Sequence, residues 1–338
     1  MNVLVTGSTG FIGSHLCRAL IAEGHAVRAF HRSTSMLRLL EDLPVEHAVG
    51  DLSQLDSLEI AMQDVELVFH TAGLVAGLDD PGRMYAVNVE GTHNVLQAAR
   101  RANVRRVVFT SSVAALGVPP VSPRKISEAG LLDENHTWNY LPQRWSYGYT
   151  KYLAELEVQK AVGQGLEVVT VNPSIVIGAG DIYRQSSSLI VQVANRRLPA
   201  LTEGGLNIIH IEDVVQGHLA AARTGRSGRR YILAGENLTI VDFVRKVASV
   251  TGTSAPRLIL PASLARSLAV PLRLLNAYVH FPIEPALLNL AGCAFFYSNR
   301  RAQVELGLPQ VRPASTAIAE AYAWFMGSGS VAAASPAG

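Results

Sequence analysis

The chain of 338 residues has little cysteine and little charge. Its only cysteines, Cys17 and Cys293, do not form the pair-rich pattern of a disulfide framework, so we expect reduced thiols and a cytoplasmic protein. No cysteine/histidine cluster has the spacing of a metal site, and we predict none. Charged residues make up 17% of the chain and the net charge is +2, a balance that argues against a nucleic-acid partner.

The chain also lacks a long uninterrupted apolar run. The first run, Val3–Val5, leads directly into a glycine-rich turn, unlike a secretory signal. Residues 262–296 are strongly apolar, but they are interrupted short of the ~20 residues of a spanning helix. The interruptions are Arg266, Pro271, Arg273, Pro282, Glu284 and Pro285. We expect amphipathic helices that cover an apolar pocket or a partner subunit. Peripheral membrane contact is the second interpretation.

Hydrophobic residues make up 49% of the chain, enough for a large core. Short apolar runs alternate with helix-like stretches such as 88–102 and 147–162. The runs are Val3–Val5, Ala26–Phe30, Val45–Val49, Leu67–Thr71, Arg106–Thr110 and Leu166–Asn172. This alternation predicts an α/β fold with a Rossmann-type, doubly wound parallel sheet.

The pattern loosens after Pro173, which suggests a second lobe. We predict that 208–213 and 231–233 return to the main sheet. The predicted units are a dinucleotide-binding domain of 1–173 plus about 208–235, a smaller substrate-binding lobe of 174–207 plus 236–326, and a flexible tail of 327–338.

Three glycines, Gly7, Gly10 and Gly13, lie between the first strand and the first predicted helix, Ser14–Glu23. Small residues at such a turn let the backbone approach a pyrophosphate, and the helix N-terminus supplies N–H groups and positive dipole. The strand before the turn and the helix after it are the context in which this motif binds a dinucleotide.

The second strand ends without a carboxylate. An NAD site is expected to place Asp or Glu about 20 residues beyond the glycines, on the ribose hydroxyls. Here His31 stands at that place and Arg32 follows. A guanidinium can bind a 2′-phosphate that a carboxylate would repel, so NADP is preferred over NAD. The alternative for Arg32 is a solvated loop arginine.

Tyr147 and Lys151 are four residues apart in a predicted helix, and therefore project from one face about 5–6 Å apart at Cβ. An ammonium near a phenol favours the phenolate and lowers the phenol pKa. The pair suits acid–base chemistry, although the spacing alone also occurs on ordinary helix surfaces.

Together, these features resemble the extended short-chain dehydrogenase/reductase family over roughly residues 1–325. Within it the chain looks most similar to dihydroflavonol reductases, 3-beta-hydroxysteroid dehydrogenases and bacterial hopanoid-associated sugar epimerase-like proteins. The resemblance rests on Thr6–Gly13, Gly50–Leu52, His70–Gly73, Asn88–Thr92, Phe109–Ser112, Tyr147 with Lys151, and Asn172–Pro173.

The resemblance implies roles for individual residues. Tyr147 would be the general acid/base, Ser112 the catalytic hydroxyl with Ser111 and Thr110 as less favoured neighbours, and Lys151 the ribose ligand. Asn88 would support a relay water; a helix N-cap is its alternative. The implied cofactor contacts are Gly7, Thr9, Gly10, Phe11, Ile12, Gly13, Arg32, Asp51, Leu52, Thr71, Ala72, Gly73, Tyr147, Lys151, Pro173 and Val176.

Three functions remain open at this point. The first is an NADP-dependent reductase or dehydrogenase acting on an apolar ketone, aldehyde or secondary alcohol. The second is a nucleotide-sugar epimerase or dehydratase with bound NAD, and the third is a non-catalytic NADP-binding regulator.

Similar epimerases carry an Arg four residues before a His such as His210, where this chain has Leu206; Arg184, Arg196 or Arg197 could substitute. A homodimer is common in relatives.

Pocket-lining residues are harder to assign. The segments 117–145 and 178–188 are expected to shape the substrate pocket. The aromatic residues near the Tyr/Lys pair either line that pocket or pack on one another, and packing is the simpler interpretation. They are Trp138, Tyr140, Trp145 and Tyr149.

Overall fold

The computed structural model describes residues 1–75, 80–119, 130–183, 187–275 and 285–328. Its strands are β1 (Asn2–Thr6), β2 (Ala26–His31), β3 (Glu46–Val49), β4 (Leu67–His70), β5 (Arg106–Thr110), β6 (Val168–Pro173), β7 (Ile175–Ile177), β8 (Leu201–Thr202), β9 (Gly205–His210), β10 (Arg230–Leu233), β11 (Glu236–Thr239) and β12 (Ile259–Leu260).

The α-helices are α1 (Phe11–Ala22), α2 (Leu55–Ala61), α3 (Pro81–Tyr85), α4 (Gly91–Arg101), α5 (Ser146–Gly163), α6 (Ser188–Ala194), α7 (Ile211–Thr224), α8 (Ile240–Thr251), α9 (Ala262–Leu275), α10 (Arg300–Leu306) and α11 (Ala314–Gly327). A π-helical turn, Ala86–Glu90, joins α3 to α4. Short 3₁₀ turns are Val113–Leu116, Pro142–Arg144 and Pro285–Leu290.

Seven parallel strands form the main sheet in the order β10-β6-β5-β4-β1-β2-β3. The chain runs outward from β1 through β2 to β3, then crosses back to β4 on the other side of β1. This reversal creates a crevice at the carboxyl ends of β1 and β4, the place where open α/β sheets bind ligands. The predicted doubly wound sheet is confirmed.

Helices cover both faces of this sheet. One core cluster combines apolar residues of α1 and α7 with one face, including Leu16, Val108 and Val215. The other combines α2, α4 and α5 with the opposite face, including Leu58, Val95 and Val158. The central strands are buried on both sides, which explains why β5 and β6 appear in the sequence as continuous apolar runs.

One strand prediction is wrong. Residues 208–213 do not return to the main sheet: Gly205–His210 pairs with β7 and β11 in a separate three-stranded sheet, and α7 begins at Ile211. The buried Asn207 side chain helps to fix this pairing by donating to the Gly235 carbonyl and to Asn237. Residues 230–233 do return to the main sheet, beside β6, as predicted.

The three-stranded sheet belongs to a third core cluster, in which it packs with α6, α8 and α11 around buried residues such as Phe243 and Phe325. In the described part of the chain, no helix is long and apolar enough to cross a membrane. Most of the predicted tail, residues 329–338, lies outside the described residues, and α11 ends at Gly327.

Candidate active site

The first loop turns at the end of β1 with no room for side chains. Gly7 has φ +68°, in the left-handed region, and a Cβ built on it would lie 2.6 Å from the Ala72 backbone nitrogen. A Cβ on Gly13 would overlap the Gly7 carbonyl oxygen. Gly7 is therefore required by the close approach of residues 71–72 after β4, and Gly13 by the close approach of the Gly7–Ser8 backbone.

Gly10 is the N-cap of α1, so the helix begins at Phe11, three residues earlier than predicted. The Gly10 N–H donates to the Gly7 carbonyl. The Ser14 N–H is the first in the helix to donate to a carbonyl, that of Gly10. By helix geometry, the N–H groups of Phe11, Ile12 and Gly13 have no acceptor within α1. Thr9 is buried beside them. This arrangement fits the pyrophosphate of a dinucleotide.

A chain of buried hydrogen bonds supports the loop from behind. Thr6 Oγ1 lies 2.7 Å from His70 Nδ1, and His70 Nε2 lies 3.1 Å from Thr92 Oγ1, which donates to the Asn88 carbonyl. Since Thr92 uses its proton on that carbonyl, His70 donates from Nε2. Burial lowers the pKa of His70 to about 3, so the ring is neutral.

The end of β4 is tied to the same group. Thr71 Oγ1 donates to the Thr6 carbonyl at 2.7 Å, and the Ala72 N–H donates to Thr6 Oγ1. Gly73 comes next, and a Cβ there would lie 3.5 Å from Lys151 Nζ. Residues 71–73 thus connect the glycine turn to the Tyr/Lys helix, consistent with their predicted place beside the cofactor.

At the end of β2, Arg32 is exposed, whereas His31 is buried. His31 contacts the Arg32 carbonyl through Nδ1 and His47 through Nε2, each at 3.0 Å. Asp51 accepts hydrogen bonds from the Ser53 N–H and hydroxyl, which lower its carboxyl pKa, and the Arg32 charge adds to this effect. Leu52 follows, and its carbonyl accepts from Asn94.

Tyr147 lies in the first turn of α5, with its hydroxyl beside the Ser112 side chain. Burial raises the pKa of Tyr147, and the Ser112 side chain opposes this in part. The net shift is opposite to the one inferred from the Lys151 spacing, because desolvation of the phenolate dominates. The phenol is consequently protonated at neutral pH.

Lys151 is buried below Tyr147 on the same helix. Its Nζ donates to the Thr110 carbonyl at 2.8 Å and lies 5.0 Å from the centre of the Phe109 ring. Burial lowers the pKa of Lys151 to about 8, and the negative charge of Glu155 opposes the shift. The ammonium therefore titrates close to physiological pH.

The structure distinguishes the three candidate hydroxyls. Ser111 is buried and donates to Glu155 Oε1 at 2.6 Å, and Thr110 Oγ1 pairs with His218 at 2.8 Å. Ser112 is half-buried, lies beside Tyr147, and accepts the Ala114 N–H. Among the three, Ser112 is the hydroxyl placed with the Tyr/Lys pair.

Asn88 is not a helix N-cap, because it lies inside the π-helical turn between α3 and α4. Its buried carboxamide accepts the Leu74 N–H at 2.7 Å and donates to the Leu74 carbonyl and to Thr150 Oγ1. It thereby joins the segment after β4 to the helix that carries Tyr147.

Glu155 is a member of the site that the sequence analysis missed. It is buried four residues after Lys151. Its Oε1 accepts from Ser111 and from Asn172 Nδ2, each at 2.6 Å, and its Oε2 accepts from Arg230 at 3.0 Å. The spacing of Tyr147, Lys151 and Glu155, four residues each, is the sequence signal that could have identified it.

Asn172 extends this network to the backbone of Ser112, since its Nδ2 also donates to the Ser112 carbonyl at 2.9 Å. The Arg230 guanidinium, which binds the other Glu155 oxygen, also donates to the carbonyls of Glu134 and His136. One buried carboxylate therefore connects β5, β6 and β10 with the segment that precedes α5.

Pro173, the last residue of β6, and Val176 in β7 were predicted to contact the cofactor, and both are buried. Pro173 pairs with Leu233, and Val176 belongs to the core cluster beneath α1. The aromatic residues pack on one another: the Trp138 ring lies 6.0 Å from Trp145 and 5.6 Å from Tyr149, and Trp145 lies 5.5 Å from Phe295. These contacts place an aromatic cluster beside Tyr147.

Two of the alternative cations for a sugar diphosphate lie at the surface. Arg196 and Arg197 are exposed after α6, a helix that packs against α8 and α11. Arg184 lies outside the described residues. Leu206 is in β9, half-buried and paired with Leu238.

Comparison with known proteins decides the family. The model of the NAD dependent epimerase/dehydratase family matches residues 3–234. The chain belongs to this family. It is 36% identical over 335 residues to a Synechocystis protein named putative dihydroflavonol 4-reductase, covering 97% of this chain and 95% of the relative.

Two further relatives extend the comparison. Sterol demethylase protein B of Methylococcus capsulatus is 36% identical over 335 residues, covering 96% of this chain and 98% of the relative. The crystal structure of a nucleoside-diphosphate-sugar epimerase from Pseudomonas aeruginosa matches with a TM-score of 0.81 and 26% identity, covering 98% of this chain and 99% of that one. The chain is thus an NAD(P)-dependent enzyme of the extended short-chain dehydrogenase/reductase type.

Glu155→Gln should shift the alkaline limb of the kcat/KM–pH profile to lower pH. Loss of the negative charge that raises the Lys151 pKa lets the ammonium deprotonate below its present value of about 8. Activity that needs this ammonium falls as pH rises through its pKa, so the variant loses more activity at pH 8 than at pH 6.5.

Glu157→Gln on the same helix is the matched control, because Glu157 pairs with His93 and Lys160 away from the network. Its profile should match that of the unchanged enzyme. A Glu155→Gln profile with an unmoved alkaline limb would show that Glu155 does not act on Lys151.

Proposed function

We propose that the protein is an NADP-dependent reductase or dehydrogenase that acts on an apolar ketone, aldehyde or secondary alcohol. The observation that carries this proposal is the half-buried Tyr147 phenol beside Ser112, one helical turn before the buried Lys151 ammonium on the Thr110 carbonyl. Reduction of a carbonyl needs a proton donor, and a phenol whose pKa is raised is a proton donor at neutral pH.

Each member of the group has a proposed role. Ser112 donates a hydrogen bond to the substrate oxygen as negative charge develops there, and Tyr147 delivers the proton to it. Lys151 orients the nicotinamide ribose, and Asn88 fixes the backbone at Leu74. The bound cofactor supplies or accepts the hydride.

The cofactor-binding residues form three groups. Gly7, Thr9, Gly10, Phe11, Ile12 and Gly13 are proposed to hold the pyrophosphate. Arg32, Asp51 and Leu52 are proposed to contact the adenosine end. Thr71, Ala72, Gly73, Lys151, Pro173 and Val176 are proposed to border the ribose and nicotinamide. The steric fit of the glycine turn against Ala72 supports the first group.

Arg32→Ala tests the preference for NADP. Because a charge-assisted hydrogen bond is worth about 1.5–3 kcal/mol, the KM for NADPH should rise by roughly 10- to 100-fold, with a much smaller change for NADH. Arg100→Ala, which removes an exposed arginine at the end of α4, is the control. Equal changes for NADPH and NADH would make Arg32 a bystander.

The substrate assignment is supported by the relatives and by Leu206. Relatives named as a dihydroflavonol reductase and a sterol demethylase component suggest polycyclic or aromatic carbonyl compounds of low polarity. A buried diphosphate needs paired cations. Leu206 supplies none, and Arg196 and Arg197 are exposed.

The second candidate is a nucleotide-sugar epimerase or dehydratase that retains NAD. The family description and the epimerase from Pseudomonas aeruginosa favour it. Both candidates use the same Ser/Tyr/Lys group, so the substrate lobe must separate them. We propose that this lobe comprises 174–210 plus 236–326, beside a cofactor domain of 1–173 plus about 211–235, because β9 pairs with β7 and β11.

Mass spectrometry of nucleotide retained by the purified protein, followed by NADPH oxidation assays, separates the two functions. The reductase should carry little nucleotide and oxidise NADPH with an apolar cyclic ketone but not with a nucleotide sugar. Stoichiometric bound NAD together with interconversion of a nucleotide sugar, and no net NADPH oxidation, would establish the epimerase instead.

A further inference from the structure

Large apolar side chains are exposed on one part of the second lobe. Between Leu258 and Leu287, six of them are 45% to 66% exposed: Leu258, Ile259, Leu264, Val270, Leu275 and Leu287. We refer to these six residues as the apolar face. Contiguous exposed apolar surface of this kind marks an interaction site in soluble proteins.

In helix α9 the large apolar side chains face outward, whereas in a helix that covers a core they face the protein. Its buried side consists of alanines, Ala262, Ala265 and Ala269, which pack toward Ala291. Its leucines at 264 and 275 recur on the opposite side at helical spacing, with Leu268 and Pro271 between them. The side chains that would bury the most apolar area are thus directed away from the protein.

Arginines outnumber carboxylates around this face, where the Glu203 carboxylate accepts the Ala262 N–H at the start of α9. From residue 243 to residue 283 the sequence contains no Asp or Glu, but it contains Arg245, Lys246, Arg257, Arg266 and Arg273. Arg245 and Lys246 are paired with Asp242 and Glu236. Arg257 and Arg266 are exposed, and no carboxylate among the described residues forms an ion pair with either.

The apolar face adjoins the aromatic cluster beside Tyr147. The Tyr140 hydroxyl donates to the Asn289 carbonyl in the 3₁₀ turn that also carries Leu287. A few residues later, Phe295 contacts Trp145, two residues before Tyr147. The apolar face is therefore connected through Tyr140 and Phe295 to the start of α5, the helix that carries Tyr147.

We propose that the apolar face docks on an anionic phospholipid bilayer, from which the enzyme takes its apolar substrate. The docking rests on the exposed leucines and on Arg257 and Arg266; the substrate transfer also rests on the proposed function. Apolar side chains enter the headgroup–acyl boundary while cations contact anionic headgroups. A second copy of this chain fits less well, because a two-fold contact would bring the same unpaired arginines together.

Co-sedimentation with lipid vesicles tests the docking without any measurement of turnover. The full chain should bind vesicles of phosphatidylcholine mixed with phosphatidylglycerol, and bind pure phosphatidylcholine much more weakly. Leu264→Ser with Leu275→Ser should abolish binding. Arg257→Gln and Arg266→Gln should each weaken binding to the anionic vesicles by roughly fivefold.

Ile60→Ser is the matched control, since Ile60 is 66% exposed on α2, away from the apolar face; it should bind like the unchanged protein. Absence of sedimentation with anionic vesicles would overturn the proposal. So would a dimer in light scattering that the leucine substitutions convert to a monomer, because the face would then contact a second copy. Vesicle binding without NADPH oxidation of any apolar ketone would retain the docking and refute the proposed substrate.

Discussion

The buried ammonium of Lys151 is the constraint on which the site depends. A cation taken out of water is stable only where oxygen atoms and negative charge replace its hydration. The Thr110 carbonyl at the end of β5 supplies one oxygen, and Glu155, one turn further along α5, supplies the charge. These contacts fix α5 against the carboxyl end of β5, where Tyr147 meets Ser112.

The same carboxylate organises the neighbouring strands. Glu155 is satisfied by Ser111, Asn172 and Arg230, which come from three adjacent strands of the main sheet. The cofactor side has its own support in the neutral His70, which links Thr6 to Thr92. Buried hydrogen-bond networks hold both halves of the crevice, so little reorganisation is needed when ligands bind.

The fold was largely predictable from the sequence because strands buried on both faces appear as apolar runs between helical stretches. Residues 208–213 were misassigned because an apolar run does not reveal which sheet it joins; the Asn207 contacts that decide it are long-range. Gly7, Gly13 and the Tyr/Lys pair were proposed from spacing, and Ser112 from the resemblance to the family. The Tyr147 pKa direction was not, because spacing shows neither the desolvation of the phenol nor that the Lys151 ammonium is bound to the Thr110 carbonyl.

The central claim is that Tyr147 donates the proton to substrate oxygen. The most direct test is the single-turnover rate of NADPH oxidation by Tyr147→Phe with the best ketone substrate, measured beside the NADPH dissociation constant. The account predicts a rate lower by about 10²- to 10⁴-fold, the usual contribution of a positioned acid, with NADPH binding nearly unchanged. A rate close to that of the unchanged enzyme would contradict the account.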